Sequence, residues 1–132
     1  MKHLVLDTHT LVWYLEDNPK LSKTCKSEIE NPSNRVIISV AVLLEIKYLH
    51  GKKRFTTSPD EVIEHLENDP RCVIYPVDLN VLTELPTTLE LHDAVIVATA
   101  KIFEKYRKAD GEVFVLTKDR EITKSGIINT LW

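Results

Sequence analysis

Apolar runs and apolar stripes alternate along this 132-residue chain. Five short runs rich in β-branched residues predict strands: "HLVL" at 3–6, "RVIIS" at 35–39, "CVIYPV" at 72–77, "EVFVLT" at 112–117 and "IINTLW" at 127–132. Pro76 marks the third as an end or an edge. Helical spacing fills the intervals. "THTLVWYLED" reads as a helix stopped by Asn18-Pro19. "KLSKTCKSEIEN" carries Leu21, Cys25 and Ile29 four apart and breaks at Asn31-Pro32. "VAVLLEIKYLHG" is a helix with Gly51 as its expected stop. "SPDEVIEHLEND" has Ser58 as N-cap and Pro59 in the first turn, with Val62, Ile63 and Leu66 on one face. "DLNVLTEL" is a short helix closed by Pro86. A long helix begins near Asp93 and runs to about Lys108, and a brief one precedes the last strand.

Strands and helices in alternation predict an α/β fold with a largely parallel sheet. No repeat, low-complexity tract or long linker divides the chain, so one domain over 1–132 is expected. With 43% hydrophobic and 28% charged residues, the composition is that of a folded globular protein. No apolar run is long enough for a bilayer span, and the first residues lack a signal-peptide pattern, so a cytoplasmic protein without a membrane partner is expected. Cys25 and Cys72 lie far apart and read as reduced thiols. The five histidines form no zinc-ligand spacing. A net charge of −3 argues against wrapping a long nucleic acid, but leaves room for a basic rim around an acidic site.

Four acids do not fit a purely structural role. Asp7 closes the first strand, and Asp119 lies two residues beyond the fourth. In parallel α/β sheets, ligands gather at these carboxyl ends. Glu45 sits inside an otherwise apolar helix, where a charge needs a metal or a partner such as a nearby Lys or Arg. Asp93 heads the greasy stretch "LHDAVIVATA". Taken singly, Asp7, Asp93 and Asp119 are also possible helix caps. Taken together in one pocket they repel: two unit charges at ~4 Å cost about 4 kcal/mol in an effective dielectric of 20. Cations relieve that repulsion, and oxygen-only donors favour Mg²⁺ or Mn²⁺. Such a site suits attack of water on a phosphodiester.

"LVLDTHTLVWYL", "ISVAVLLEIKYLHGKKR", "LHDAVIVATA" and "VFVLTKDREI" resemble, in order, the four signature blocks of the PIN-domain family, and more narrowly the VapC-type toxins of toxin–antitoxin pairs. The resemblance spans nearly the whole chain. It implies a parallel sheet of about five strands flanked by helices. It implies a Mg²⁺- or Mn²⁺-dependent endoribonuclease acting on single-stranded or structured RNA. By block, Asp7, Glu45, Asp93 and Asp119 become the acidic metal residues. Asp7 and Asp93 are the first choices for metal contact, and Glu45 and Asp119 serve a second ion or orient water. Thr117 holds a carboxylate or the attacking water through its hydroxyl. Thr8 and Ser39 are weaker rim candidates, and His9 and His92 flank the site as polar rim residues, with proton transfer or phosphate contact as the alternative. Many family members carry an Arg where Ala94 stands, which puts the subfamily in doubt.

Lys52, Lys53 and Arg54, with Lys118 and Arg120 beside Asp119, are candidates for RNA phosphates or a partner surface. The resemblance implies an antitoxin whose basic side chain meets the acids, and a homodimer. Trp13 and Tyr14 are left open between core and groove. A haloacid-dehalogenase-type phosphatase needs D-x-D where this chain has "DTH", and a receiver domain needs a central phosphoacceptor Asp that does not stand out. The rival from another class is a catalytically inactive PIN-fold module that binds RNA or protein.

Overall fold

The computed structural model describes residues 1–106 and 111–132. The expected end of the long helix near Lys108 lies outside the described residues. In chain order the elements are β1 (Lys2–Leu6), α1 (Thr8–Leu15), α2 (Lys23–Glu30), β2 (Arg35–Ser39), α3 (Val40–Gly51), α4 (Pro59–Glu67), β3 (Cys72–Tyr75), α5 (Leu79–Glu84), α6 (Leu91–Tyr106), β4 (Glu112–Leu116), α7 (Arg120–Ser125) and β5 (Thr130–Leu131).

The five strands form one parallel sheet in the order β3-β2-β1-β4-β5. β1 is central and pairs along its whole length with β4, from Lys2 against Glu112 to Leu6 against Leu116. Its Leu4, Val5 and Leu6 are each 0% exposed. Three successive buried positions mean that both sheet faces are covered, which is why β1 reads as an unbroken apolar run. α6 contacts β1, β2 and β4 and so lies across the middle of the sheet. Its continuous buried stretch from Ala94 to Ala100 meets the sheet and the neighbouring α3 and α5. β3 is an edge strand with Pro76 just past it, as expected.

Local capping fits the element starts. Ser22, Ser58 and Asp78 accept hydrogen bonds from the backbone N–H three residues on, at α2, α4 and α5. Gly51 is the last helical residue of α3, but the left-handed residue is Lys53 (φ 59°), so the chain reverses two residues later than expected. α7 ends with the glycine signal, at Gly126 (φ 64°). β5 is only two residues long, because Ile127 to Asn129 form the turn into it.

Gly111 (φ 135°) brings β4 against the start of β1: a Cβ there would lie 2.0 Å from the Met1 carbonyl oxygen. Gly111→Ala therefore adds backbone strain to a clash with main chain. A loss of about 2–4 kcal/mol is expected, read as a lowered urea midpoint with unchanged slope.

Candidate active site

The order β3-β2-β1-β4-β5 runs outward in both directions from the β1/β4 pair. That pair is the switch point, where the loops leaving two adjacent strands part and open a crevice. The residues that leave it are Asp7 on one side and Thr117 to Asp119 on the other.

Asp7 is the N-cap of α1, its Oδ1 accepting the Thr10 N–H at 2.9 Å. Its Oδ2 accepts a short hydrogen bond from the Thr117 hydroxyl. The Thr117 oxygen in turn accepts the Asp119 N–H at 3.0 Å. Asp119 caps α7 by accepting from Glu121 N at 2.8 Å and Ile122 N at 3.3 Å. Thr10 is fully buried and donates to the Leu116 carbonyl at 2.8 Å, tying α1 to the end of β4. A threonine in a helix first turn carries no signal of its own, so the sequence did not single out Thr10. Asp7 and Asp119 are thus helix caps that also line the crevice, and Thr117 holds the Asp7 carboxylate.

Asp93 departs from the cap expectation. α6 starts at Leu91, which places Asp93 in the first turn, inside the helix. There it sits in a negative field. Burial, then Asp119 and Glu90, push its carboxyl up to about 6 against the pull of His92, with Asp7 adding the smallest push. Burial is the larger cause of the shift, and repulsion from neighbouring acids adds to it.

Glu45 has a partner, and it is a histidine rather than a Lys or Arg. His92 Nε2 lies 2.5 Å from Glu45 Oε2, and the Thr8 hydroxyl donates to the same oxygen at 3.1 Å. Thr8 Oγ1 is also 3.2 Å from His92 Nε2. His92 holds the Glu45 carboxyl below its ordinary range despite burial, and Glu45 raises the imidazole. Thr8 is a buried bridge, not a rim residue. Ser39 is fully buried and caps α3 through Ala41 N, so its candidacy for the rim falls. Ala94 is buried.

The pH dependence of the Glu45–His92 pair follows from the two shifts. The raised His92 stabilises the fold fully below about 6.5, and that contribution is lost as pH rises through its folded value. The lowered Glu45 contributes above about 4.5 and is lost as pH falls through its folded value. Both side chains retain about a third of their exposure, 30% and 28%, so solvent screening keeps the pair small. His92→Gln is expected to cost about 0.5–1 kcal/mol near pH 6 and less at pH 9, measured by urea unfolding.

Among the basic candidates, Lys118 reaches the crevice: its Nζ stands 5.9 Å from the centre of the Trp13 ring. A cavity of about 330 Å³ is lined by Asp7, His9, Trp13, Lys118, Asp119 and Trp132, among others. Trp13 thus faces the crevice, while Tyr14 lines a separate apolar pocket near Asp69 and Arg71. Arg120 is the first residue of α7 and is exposed. Lys52, Lys53 and Arg54 are exposed beyond α3, with Lys52 leaning over Tyr48 rather than toward the acids.

The donor set presents carboxylate oxygens only, which suits a hard divalent cation. Among the described residues, no three His, Cys, Asp or Glu side chains stand close enough to form a metal cluster as placed. The acids surround the crevice without closing into a coordination sphere.

The PIN-domain family matches residues 4–126, and the chain belongs to that family. PIN domains are generally nucleases. Two solved structures contain chains of the same fold. One is VapBC2 from Rickettsia felis bound to a DNA fragment from their promoter: TM-score 0.66, 15% identity, covering 99% of this chain and 98% of that one. The other is VapBC-1 from nontypeable Haemophilus influenzae: TM-score 0.62, 16% identity, covering 99% and 97%. At these identities the likeness is one of fold. No curated protein matches the sequence.

Proposed function

We propose that this chain is a metal-dependent endoribonuclease, the toxin of a VapBC-type toxin–antitoxin pair, with 1–132 as its PIN domain. The observation that carries the reading is Asp93. Its carboxyl is pushed up to about 6, first by burial and then by charge from Asp119, Glu90 and Asp7, while Thr117 links Asp7 to Asp119 at the crevice they both line. Family membership supports the nuclease class. The VapBC structures that share the fold support an antitoxin partner.

Asp7 and Asp93 would hold Mg²⁺ or Mn²⁺, with Asp119 and Glu45 turned to a second ion or to water. The ion supplies charge neutralisation at the phosphate and a more acidic water. The chain's own residues do the rest. Thr117 locks the rotamer of Asp7 by donating to Oδ2, leaving the other lone pairs of the carboxylate toward the crevice. The Asp119 N–H fixes the Thr117 hydroxyl in that role. His92 and Thr8 orient the Glu45 carboxylate from behind. Lys118 at the mouth balances phosphate charge. The same acids, facing outward, accept an arginine of an antitoxin bidentately.

The inactive binding module is favoured by one observation, the open spacing of the acids. The two readings separate in one assay. The nuclease cleaves a single-stranded RNA with Mn²⁺ and loses cleavage in EDTA. Binding that is equal in Mn²⁺ and EDTA, with the strand intact, would establish the module instead.

A further inference from the structure

Both tryptophans of the protein stand at one place. Trp13 and Trp132 meet edge-to-face with ring centres 5.9 Å apart, and His9 meets Trp13 in the same manner at 5.6 Å. The three rings line the 330 Å³ cavity that also contains Asp7 and Asp119. Two lysines stand over the Trp13 ring, Lys20 at 5.8 Å and Lys118 at 5.9 Å from its centre. Both lysines are exposed and Trp13 itself is half-buried, so part of the indole is reached from solvent. A core pair of tryptophans would have neither a wet face nor ammonium groups above it.

We propose that Trp13 and Trp132, with Lys118, form a stacking subsite for one unpaired base of the RNA strand, directly beside the acidic groups. The proposal rests on the ribonuclease reading and adds to it what the site selects. Indole rings offer an apolar π-face, and every base has one. A base entering from solvent displaces a lysine from above Trp13, and the displaced ammonium is then free to meet the adjacent phosphate. The cavity is at the small end of ligand sites, which suits one nucleotide and not a duplex. A base already paired and stacked in a helix must first be pulled out, at a cost of a few kcal/mol. The subsite therefore reads strand state rather than base identity: single strands and loops bind, duplexes do not.

The two tryptophans make the test direct, because intrinsic fluorescence reports only this place. The protein in EDTA is titrated with a short single-stranded oligouridylate, and separately with the same strand annealed to oligoadenylate. Expected is quenching by the single strand and little by the duplex. Trp132→Ala is expected to weaken single-strand binding about tenfold, with Trp132→Phe keeping most of it. Lys118→Gln, a change at an exposed side chain, is expected to weaken binding and flatten its salt dependence. In a parallel cleavage assay with Mn²⁺, Trp132→Ala is expected to raise KM with kcat nearly unchanged. Cleavage in Mn²⁺ with unquenched fluorescence, and equal affinity in Trp132→Ala and Lys118→Gln, would overturn the subsite and leave the nuclease standing. Neither binding nor cleavage, with quenching instead by an arginine-containing peptide, would overturn both and assign the rings to a protein partner.

Discussion

Asp7→Asn is expected to lower metal-dependent RNA cleavage by about 10²–10³-fold, the several kcal/mol that metal-borne charge stabilisation supplies. The substitution is well matched to the question because it spares the fold. The Asp7 oxygen that caps α1 is the one facing Thr10 N, and asparagine caps about as well as aspartate. The lost group is the charge, and with it the oxygen that accepts from Thr117. Thermal unfolding should therefore move by little while cleavage collapses. Cleavage at the wild-type rate in Asp7→Asn would remove this crevice from the chemistry.

The second large effect is on stability, and its sign is opposite to the usual one. Asp93→Asn is expected to stabilise the protein in EDTA at pH 7 by about 1–2 kcal/mol, discounted for partial exposure. That corresponds to roughly 3–6 °C in Tm per kcal/mol for a chain of this size. The folded carboxyl titrates near 6 and the unfolded one near 3.8, so the fold binds more protons between those values. Wild-type stability thus falls as pH rises from 3.8 through 6 and stays lowered above. The amide carries no charge, so its advantage should vanish at pH 3.5 and be full by pH 7. Mn²⁺ should raise the Tm of the wild type and do much less for Asp93→Asn. Melts at the two pH values, with and without Mn²⁺, give all four numbers. An unchanged Tm in every condition would mean that Asp93 feels no acidic neighbours.

Much of the fold was legible because the strands are short, apolar and punctuated, and because parallel sheets bury their central strands on both faces. Asp7 and Asp119 were legible for a related reason: a strand end followed by a helix start is visible in sequence, and a polar residue there stands out. Glu45 was visible as a charge in an apolar helix. Its partner was not, because the contact with His92 joins the middle of α3 to the first turn of α6, and no local pattern encodes that distance. The sequence places the start of the long helix near Asp93, as a possible cap as well as a site acid, while α6 begins two residues earlier, at Leu91. Leu91 and His92 carry neither an apolar stripe nor a capping signal, so periodicity could not fix that start. Ser39 looked like a rim candidate because capping serines and site serines share the same place at a strand end. Trp132 had no local signal at all. Only the pairing of β5 beside β4 carries it to Trp13.

The bond between Thr117 and Asp7 joins positions 110 residues apart, and the β1/β4 ladder that permits it is equally non-local. Of the four acids only Asp7 is present once β1 and α1 are made, and at that stage it has no Thr117 to set it and no Asp119 opposite. Contacts of such long sequence separation form late, because a large loop must close before they are rewarded. During synthesis, then, the acidic crevice is not assembled until β4 and α7 have emerged. Any activity that needs all of these groups waits for completion of the fold, and no shorter intermediate on the ribosome holds them together.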